Sequence, residues 1–334
     1  MRLSELDYEL PQELIAQRPA EPRDSSRLMV VDAESGEISH HIFRELPTFL
    51  GPGDALVLNE TKVIPARLYA RRPGGGKVEL LFLHETEGGW EVLARPSKRL
   101  RPGLALEAEG KKVEVVEDLG EGRWVVRASD VRALLERSGH MPLPPYIEST
   151  PEAERSYQTV YARNPGSAAA PTAGFHFTGE VLRRVEEKGV EIARVTLHVG
   201  VGTFTPVRTE RIEDHRMHSE EYHVPEAAAR TVQRAQRVVA VGTTVARTLE
   251  SWAQTGRRSG ESNLFIYPGY RWKVVDALVT NFHLPRSTLL AMIMSFAGSE
   301  DLIREAYSVA VKERYRFYSF GDAMLILGGG RSLA

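Results

Sequence analysis

The hydrophobic positions of residues 77–128 fall into short runs separated by glycine turns. Apolar-rich segments of four to six residues alternate with Gly-containing stretches at 74–76, 88–89 and 120–122. Closely spaced short strands with glycine turns are typical of small β-sandwiches and β-barrels. The pattern therefore predicts a small all-β unit with strands at 78–83, 90–94, 104–108, 113–116 and 123–128.

From residue 178 onward, helical periods alternate with apolar strand-like runs. Helices are predicted at 180–188, at 226–237 and from Thr244 onward, and strands are predicted at 190–199 and 238–241. Such alternation indicates an α/β fold with a mainly parallel sheet or an α/β barrel.

Residues 170–178 form a segment that is too apolar for an ordinary surface loop. Pro171 and Gly174 also interrupt it too often for the interior of a helix or strand. Thr178 is an N-cap candidate for the helix that follows. A shaped loop would thus bring backbone N–H groups and the His176 imidazole to a helix N-terminus, which suits an anion or a polar small molecule. The alternative is a buried turn with a hydrogen-bonded core histidine.

Five further segments place Gly, Thr, His or Asn at or near the end of an apolar run. They are residues 196–204, 214–220, 239–244, 265–270 and 276–285. In sheets with helical crossovers, ligands bind outside the carboxyl ends of the strands. We therefore expect one active site where the following segments converge: 171–176, 198–203, 214–218, 242–244 and 281–283.

Composition narrows the classes of partner and chemistry. A chain of 334 residues with 42% hydrophobic content can bury a large core, and we expect two domains. The formal net charge is −2, so a nucleic acid would have to be held by a local basic patch. The chain has no Cys, which excludes disulfides, thiolate zinc sites and iron–sulfur clusters.

The chain carries no pattern typical of export or membrane insertion. Residues 1–5 include charges and no apolar core, unlike a signal peptide. The longest apolar stretch, residues 289–297, is too short to cross a bilayer. We expect a cytoplasmic protein without membrane contact.

Several motifs occur in an order that matches one known family. They are residues 8–11, 23–28, 59–68, 141–147, 157–161 and 315–324, together with the segments described above. On these residues, which run nearly end to end, the chain resembles the S-adenosylmethionine:tRNA ribosyltransferase-isomerase family of queuosine biosynthesis. Glu60 is a small departure because Asp is more usual there, and both residues are acidic.

The resemblance implies a fold and a domain division. It implies a barrel-like α/β catalytic domain interrupted by a small antiparallel β-barrel domain. The N-terminal motifs then belong with the larger half of the chain. We expect residues 1–63 and 155–334 to form the catalytic domain and residues 64–154 to form the inserted domain.

The resemblance also implies the reaction. The ribosyl group of S-adenosylmethionine moves to the aminomethyl group of 7-aminomethyl-7-deazaguanine (preQ1) in tRNA and is isomerised, giving epoxyqueuosine, and adenine and methionine leave. S-adenosylmethionine is a cosubstrate, and no metal or organic cofactor is implied. The sulfonium acidifies the C5′ hydrogens, so a general base can start the reaction.

Histidine is the first choice for proton transfer because its pKa lies near neutrality. The candidates are His176, His198, His215 and His283, with Asp214 as a further base or a histidine-orienting group. For each histidine the alternative is a hydrogen bond within its own loop. His215, His218 and His223 also allow a metal interpretation, but their spacing matches no recognised zinc pattern.

The Gly-, Thr- and aromatic-bearing loops are candidates for binding the cosubstrate. Their N–H groups and hydroxyls suit a carboxylate or a ribose, and their rings suit a purine, although a turn or core packing is an alternative for each. The candidates are Thr172, Gly174, Phe175, Gly200, Gly202, Thr203, Thr243, Thr244, Tyr267 and Asn281.

The best local basic cluster lies in the predicted β unit, at residues 95–101. We expect tRNA phosphates to contact Lys62, Arg67, Lys98, Arg99 and Arg101. The alternative is a solvated strand edge.

Two other functions stay open at this point. One is a tRNA-binding module without turnover, and the other is an atypical S-adenosylmethionine-dependent tRNA methyltransferase. The ordinary methyltransferase fold is disfavoured because no G-x-G-x-x-G follows the first strand. Nothing in the sequence requires more than a monomer.

Overall fold

The computed structural model describes residues 1–200 and 209–333. Its strands are β1 (Arg27–Asp32), β2 (Ile38–Ile42), β3 (Asp54–Asn59), β4 (Thr61–Val63), β5 (Arg67–Arg71), β6 (Lys77–Thr86), β7 (Gly89–Arg95), β8 (Ala105–Ala108), β9 (Lys111–Gly120), β10 (Arg123–Arg127), β11 (Asn164–Ser167), β12 (Glu191–Leu197), β13 (Glu220–His223), β14 (Arg237–Val241), β15 (Ser259–Ser262), β16 (Ala277–Asn281) and β17 (Ala323–Leu327).

The α-helices follow the same chain order. They are α1 (Val131–Ser138), α2 (Pro151–Ser156), α3 (Gly179–Glu187), α4 (Glu226–Arg234), α5 (Thr243–Thr255), α6 (Thr288–Ala297) and α7 (Glu300–Lys312). Short 3₁₀ turns join them, including Arg23–Ser25, Phe43–Phe49, Thr172–His176 and Ile212–Asp214.

Strands β5 to β10 close into a six-stranded barrel in the order β10-β7-β6-β5-β8-β9. All of its pairs are antiparallel. Alternate residues such as Leu68 and Ala70 point into the barrel, and Leu134 of α1 packs on the same core. The antiparallel barrel predicted between residues 77 and 128 is confirmed, and β5 extends it to Arg67.

The larger part contains a nine-stranded sheet in the order β15-β13-β12-β3-β14-β16-β17-β1-β2. Along β14, Val238 and Ala240 belong to the core on one face, whereas Val239 and Val241 belong to the core on the other. Helices α4 to α7 cover the first face, and α3 with the Phe43–Phe49 turn covers the second. The predicted α/β class is confirmed, and its sheet is open between the described edge strands β15 and β2.

The prediction of a mainly parallel sheet needs correction, because the sheet is mixed. The pairs β12–β3, β3–β14, β14–β16 and β17–β1 are parallel, while β16–β17, β1–β2, β12–β13 and β13–β15 are antiparallel. Two consecutive helices, α6 and α7, follow β16. They return the chain to the same end of the strands at which β16 finished, so β17 runs antiparallel to β16.

Two predicted helix boundaries also shift. Helix α4 ends at Arg234 rather than Arg237, because the Arg237 Nε donates to Asp54 Oδ1 at 2.9 Å and its backbone opens β14. Helix α5 starts at Thr243, one residue before the predicted Thr244. Within the described residues, no helix combines the length and apolarity needed to cross a membrane.

The barrel is tied to the rest of the chain at its first strand. Arg67 and His140 exchange two backbone hydrogen bonds of 3.1 and 2.8 Å. Gly139 permits this pairing, since a Cβ there would lie 2.0 Å from the Pro65 oxygen and 2.5 Å from the Leu135 oxygen. Those atoms belong to the backbone and cannot turn away.

We therefore predict that Gly139→Ala lowers the free energy of unfolding by about 1–3 kcal/mol, the usual cost of overpacking. Gly51→Ala is the matched control, because nothing lies within 4 Å of a Cβ at that position. Denaturant titration of both variants measures the difference. Equal stability of the two variants would show that the segment moves aside at no cost.

Candidate active site

A cavity lies at the carboxyl ends of the parallel strands β14 and β16. Five of the predicted site residues line it, namely Thr172, Thr243, Thr244, Asn281 and His283. Because β14 and β16 are parallel neighbours, the loops that follow them meet at one edge of the sheet. The structure therefore brings together the segments predicted at 242–244 and 281–283 with the first residues of the segment predicted at 171–176, and Val199 reaches them from beyond the end of β12.

The buried amide of Asn59 fixes the position of this edge. Its Nδ2 donates to the Leu197 carbonyl at 3.0 Å and to Thr244 Oγ1 at 3.3 Å. Its Oδ1 accepts from the N–H groups of Thr61 and Leu197, each at 3.1 Å. One side chain thus joins the end of β3 to the end of β12 and the first turn of α5.

Helix α5 presents its N-terminus at the cavity without a side-chain cap. Its N-cap is Gly242, with φ of 90°, a backbone angle that strongly favours glycine. The first-turn N–H groups carry the positive end of the helix dipole and suit an anion. By contrast, α6 is capped by Ser287, whose Oγ accepts from the Leu290 N–H at 3.2 Å.

Asn281, at the end of β16, organises the opposite wall. Its Nδ2 donates to the Tyr318 carbonyl and to His176 Nε2, both at 3.2 Å. Its Oδ1 accepts from Thr172 Oγ1 at 3.2 Å. The amide therefore connects three loops that are distant in sequence.

His176 lies behind Asn281 and is absent from the cavity lining. Its Nδ1 hydrogen-bonds Ser26 Oγ at 2.8 Å, and its ring packs 5.0 Å from that of Phe43. Burial, with smaller contributions from Arg316 and Arg23, lowers the pKa of His176 to about 3. The imidazole is therefore neutral near pH 7, and both of its ring nitrogens have hydrogen-bond partners. These features match the alternative interpretation of the sequence, a buried turn with a hydrogen-bonded core histidine.

His283 lines the cavity. Its Nε2 hydrogen-bonds Thr280 Oγ1 at 2.8 Å, and its backbone N–H donates to the Tyr307 hydroxyl at 2.8 Å. Burial lowers the pKa of His283 to about 3, so this imidazole is also neutral near pH 7.

The other histidine candidates lie away from the described lining. His198 neighbours Val199 and hydrogen-bonds Thr61 Oγ1 at 2.8 Å. His215 packs edge-on against Phe265 with ring centroids 5.8 Å apart, and Asp214 beside it is exposed. Burial lowers the pKa of both histidines, opposed at His198 by Glu221 and aided at His215 by His218.

Several predicted cosubstrate contacts have structural partners instead. Phe175 stacks on Phe320 with ring centroids 5.7 Å apart, and Gly174 gives the Tyr161 hydroxyl the space that a Cβ would fill. The Gly200 N–H donates to Glu220 Oε1 at 2.8 Å. The ring centroids of Tyr267 and Phe265 lie 5.1 Å apart, and Tyr267 is not among the described residues that line the cavity. The predicted contacts Gly202 and Thr203 lie outside the described residues.

Sequence reasoning gave no site role to Tyr146, Tyr318 or Ser319, which all line the cavity. The Tyr146 hydroxyl hydrogen-bonds Ser319 Oγ at 2.8 Å, and the rings of Tyr146 and Tyr318 lie 4.8 Å apart. Tyr318 has φ of 69°, a strained angle for a bulky residue. Burial raises the pKa of Tyr318 to about 12, so its hydroxyl keeps its proton.

The predicted RNA contacts divide into two groups. Lys62 is exposed on β4, and Lys98, Arg99 and Arg101 are exposed between β7 and β8. Arg67 is engaged within the protein: its Nη2 donates to the Leu143 carbonyl at 2.9 Å, and its Nε lies 3.4 Å from Glu79 Oε1.

A metal site has no support in the described part of the chain. Within residues 1–200 and 209–333, no three His, Cys, Asp or Glu side chains cluster in an arrangement that could hold a metal ion. His223 instead hydrogen-bonds Ser259 Oγ at 2.6 Å, and the Glu220 carboxylate forms a buried ion pair with Arg247.

Comparison with known proteins places these features in a family context. A family model described as queuosine biosynthesis protein matches residues 3–326. The chain is 78% identical to the S-adenosylmethionine:tRNA ribosyltransferase-isomerase of Rubrobacter xylanophilus, covering 100% of both chains. It is 53% identical to the protein of that name from Moorella thermoacetica, over 98% of this chain and 100% of the relative.

A solved structure also matches over almost the whole length. The crystal structure of S-adenosylmethionine tRNA ribosyltransferase from Thermotoga maritima has a TM-score of 0.57 and 42% sequence identity. The match covers 97% of this chain and 100% of that one.

The buried neutral histidines predict how stability depends on pH. His176 has a pKa of about 3 when folded, against 6.5 for an unperturbed histidine. The unfolded chain therefore binds a proton between these values that the folded chain does not, and stability is lost as the pH falls below about 6.5. Between pH 7 and 5, one such histidine costs about 2 kcal/mol.

We predict that His176→Gln removes about 2 kcal/mol of the difference in unfolding free energy between pH 7 and pH 5. The control is His84→Gln, whose parent imidazole is largely exposed on the barrel. Denaturant titrations at both pH values measure the effect. A variant that keeps the full wild-type pH dependence would contradict the assignment of a neutral buried imidazole.

Proposed function

The chain belongs to the family of queuosine biosynthesis proteins, and from this premise we propose that it is an S-adenosylmethionine:tRNA ribosyltransferase-isomerase, a transferase that modifies tRNA. The proposal is supported by relatives of that name that match over the full length of the chain. It is also supported by a cavity that combines hydroxyl, amide, imidazole and aromatic groups at the carboxyl ends of the central strands.

The specific reaction follows from the resemblance. The ribosyl group of S-adenosylmethionine is transferred to the aminomethyl group of preQ1 in tRNA and isomerised to an epoxycyclopentanediol, so the product is epoxyqueuosine-tRNA. Adenine and methionine are released. The enzyme must supply a general base for the C5′ proton, a proton donor for the departing adenine, and clamps for the methionine part.

The observation that carries this proposal is the uncapped N-terminus of α5 inside the cavity. Thr243 and Thr244 offer N–H groups and hydroxyls where the helix dipole is positive. A carboxylate is the natural ligand for such a terminus, and the methionine part of S-adenosylmethionine provides one. The Tyr146–Tyr318 ring pair offers an aromatic surface for the adenine.

We assign the general base to His283, because it alone among the four histidine candidates contributes to the described cavity lining. If its Nε2–H donates to Thr280 Oγ1, the Nδ1 lone pair is available to accept the C5′ proton. Burial keeps the imidazole neutral near pH 7, so its lone pair is free, while the lowered pKa also makes His283 a weaker base than an exposed histidine. His176 acts one step away, as a positioning residue that orients the Asn281 amide.

The partners follow from the reaction. The enzyme binds preQ1-containing tRNA and S-adenosylmethionine, requires no metal, and works as a monomer in the cytoplasm, where tRNA is available. Because the formal net charge is only −2, tRNA must be attracted by local clusters of basic residues.

Product analysis tests the function. The protein is incubated with S-adenosylmethionine and tRNA that carries preQ1, and the small molecules are separated by chromatography. The proposal requires adenine and methionine in equal amounts. S-adenosylhomocysteine would instead indicate methyl transfer, and the absence of any turnover would indicate a tRNA-binding module.

The base assignment gives a prediction of its own. His283→Ala should lower kcat by about a hundredfold or more, the usual scale for loss of a general base. His84→Ala, on the exposed barrel surface, should leave kcat unchanged. Thermal unfolding of both variants separates loss of chemistry from loss of fold. If His215→Ala loses turnover and His283→Ala does not, the base is His215.

The exposed cluster between β7 and β8 gives a further prediction. Replacing Lys98, Arg99 and Arg101 together by Ala should weaken tRNA binding and flatten its salt dependence, because fewer counterions are released. S-adenosylmethionine binding should stay unchanged. An unaltered tRNA affinity across a salt series would move the RNA surface away from this turn.

A further inference from the structure

The outer face of β5 carries an aromatic side chain that the core does not require. Leu68 and Ala70 point into the barrel, so Arg67, Tyr69 and Arg71 point outward. Tyr69 is 48% exposed, and within the described residues only Val160 is another large hydrophobic residue of comparable exposure. A single exposed ring is not by itself a binding surface, so its role depends on the groups around it.

His140 lies against this ring. The ring centroids of Tyr69 and His140 are 5.3 Å apart, with an interplanar angle of 60°. The two reciprocal backbone hydrogen bonds with Arg67 hold His140 in register with β5. The two rings therefore form a preorganised pair on the barrel surface.

A basic groove begins at Arg71, two residues after Tyr69 on the same outer face of β5. It is lined by Arg71, Arg72, Lys111 and Lys112, with Glu107 as the acidic residue among them. The Glu107 carboxylate accepts the Gly110 N–H at 2.8 Å, and four basic residues line the same groove. The groove therefore carries a net positive charge, which complements a phosphate backbone.

The acidic residue next to Tyr69 does not cancel this field. Glu79 is the cross-strand partner of Tyr69, and its Oε1 lies 3.4 Å from the Arg67 Nε. Arg67 thus neutralises the carboxylate beside the ring. In the groove, Lys112 Nζ pairs with Glu114 Oε2 at 3.3 Å, whereas Arg71, Arg72 and Lys111 form no ion pair with the described residues and stay available to an anion.

The same surface is connected to the cavity by a short stretch of chain. His140 belongs to the ring pair, and Tyr146, six residues later, lines the cavity. Six residues can span at most about 20 Å. A strand of RNA lying on the barrel could therefore bring a neighbouring nucleotide to the cavity.

We propose that Tyr69 and His140 form a stacking platform for an unpaired base of the tRNA substrate, whose phosphates lie along the groove of Arg71, Arg72, Lys111 and Lys112. The inference rests on the proposed function and deepens it by naming the surface that holds the RNA. Proteins read unpaired RNA by stacking its bases on aromatic side chains beside a basic groove.

A protein partner fits this surface less well. The core of a protein–protein interface is depleted in charged residues and packs apolar groups together. Here two rings are bordered by arginines and lysines, and a stacked base with its phosphates satisfies both kinds of group.

The first test removes the ring. Tyr69→Ala should weaken binding of preQ1-containing tRNA by about tenfold or more and raise the KM for tRNA to match, while kcat at saturating tRNA stays unchanged. Tyr69→Phe is the matched control and should keep wild-type affinity, since stacking needs the ring and not the hydroxyl. Thermal unfolding and S-adenosylmethionine binding should be the same for both variants.

The second test separates stacking from charge. Tyr69→Ala should weaken binding equally at all salt concentrations, because it removes no charge. Arg71→Ala should reduce the slope of log affinity against log salt by about one unit for one lost phosphate contact. A change in slope for Tyr69→Ala would contradict stacking.

A fluorescence signal reports the contact directly. In Tyr69→Trp, a stacked base should quench the added indole when tRNA binds, beyond any quenching of the wild-type tryptophans. Unquenched added fluorescence, or wild-type tRNA affinity in Tyr69→Ala, would overturn the platform. If the wild type binds tRNA but shows no turnover, the proposed function is wrong, but the binding and fluorescence measurements still test the platform. If it binds no tRNA, both fail.

Discussion

The site depends on the buried side-chain amides of Asn59 and Asn281, which hydrogen-bond the loops around the cavity. Each lies at the carboxyl end of a central strand, where the backbone leaves the sheet and its polar groups lose their ladder partners. An amide offers two donors and an acceptor with two lone pairs, so one side chain can satisfy several loops at once. A carboxylate could not donate, and an apolar residue would leave those groups unpaired in a medium of low dielectric, where the cost is high.

The use of neutral hydrogen-bonding groups also explains why the cavity is polar but nearly uncharged. His176 and His283 are both buried, and burial keeps both imidazoles neutral near pH 7. A cationic imidazole beside a sulfonium would repel it, whereas neutral nitrogens, hydroxyls and amide oxygens can face the sulfonium without that penalty. In the proposed function, the positive end of α5 is the place for the carboxylate of S-adenosylmethionine.

Much of this arrangement is predictable from the sequence. The other features could not be predicted, for physical reasons. Parallel strands end at one edge, so the apolar runs that lead into residues 242–244 and 281–283 predict their meeting. The position of His176 depends on Ser26 and Phe43, which come from a distant segment and bury the ring. Tyr146 and Ser319 meet through a contact that no periodicity encodes. The reversal of β17 depends on α6 and α7 acting as a pair.

A weakly acidic protein can bind tRNA only if its basic residues are distributed unevenly over the surface. Arg67 is neutralised by Glu79 and Arg247 by Glu220, so many cations serve the fold and contribute little to the long-range field. The cations that can act on RNA are those grouped with few acidic neighbours, as in the groove beside Tyr69. Aromatic stacking then becomes more important, because its free energy is independent of net charge and is not screened by salt. The surface proposed on the barrel, with exposed rings next to a small basic groove, is therefore compatible with this composition.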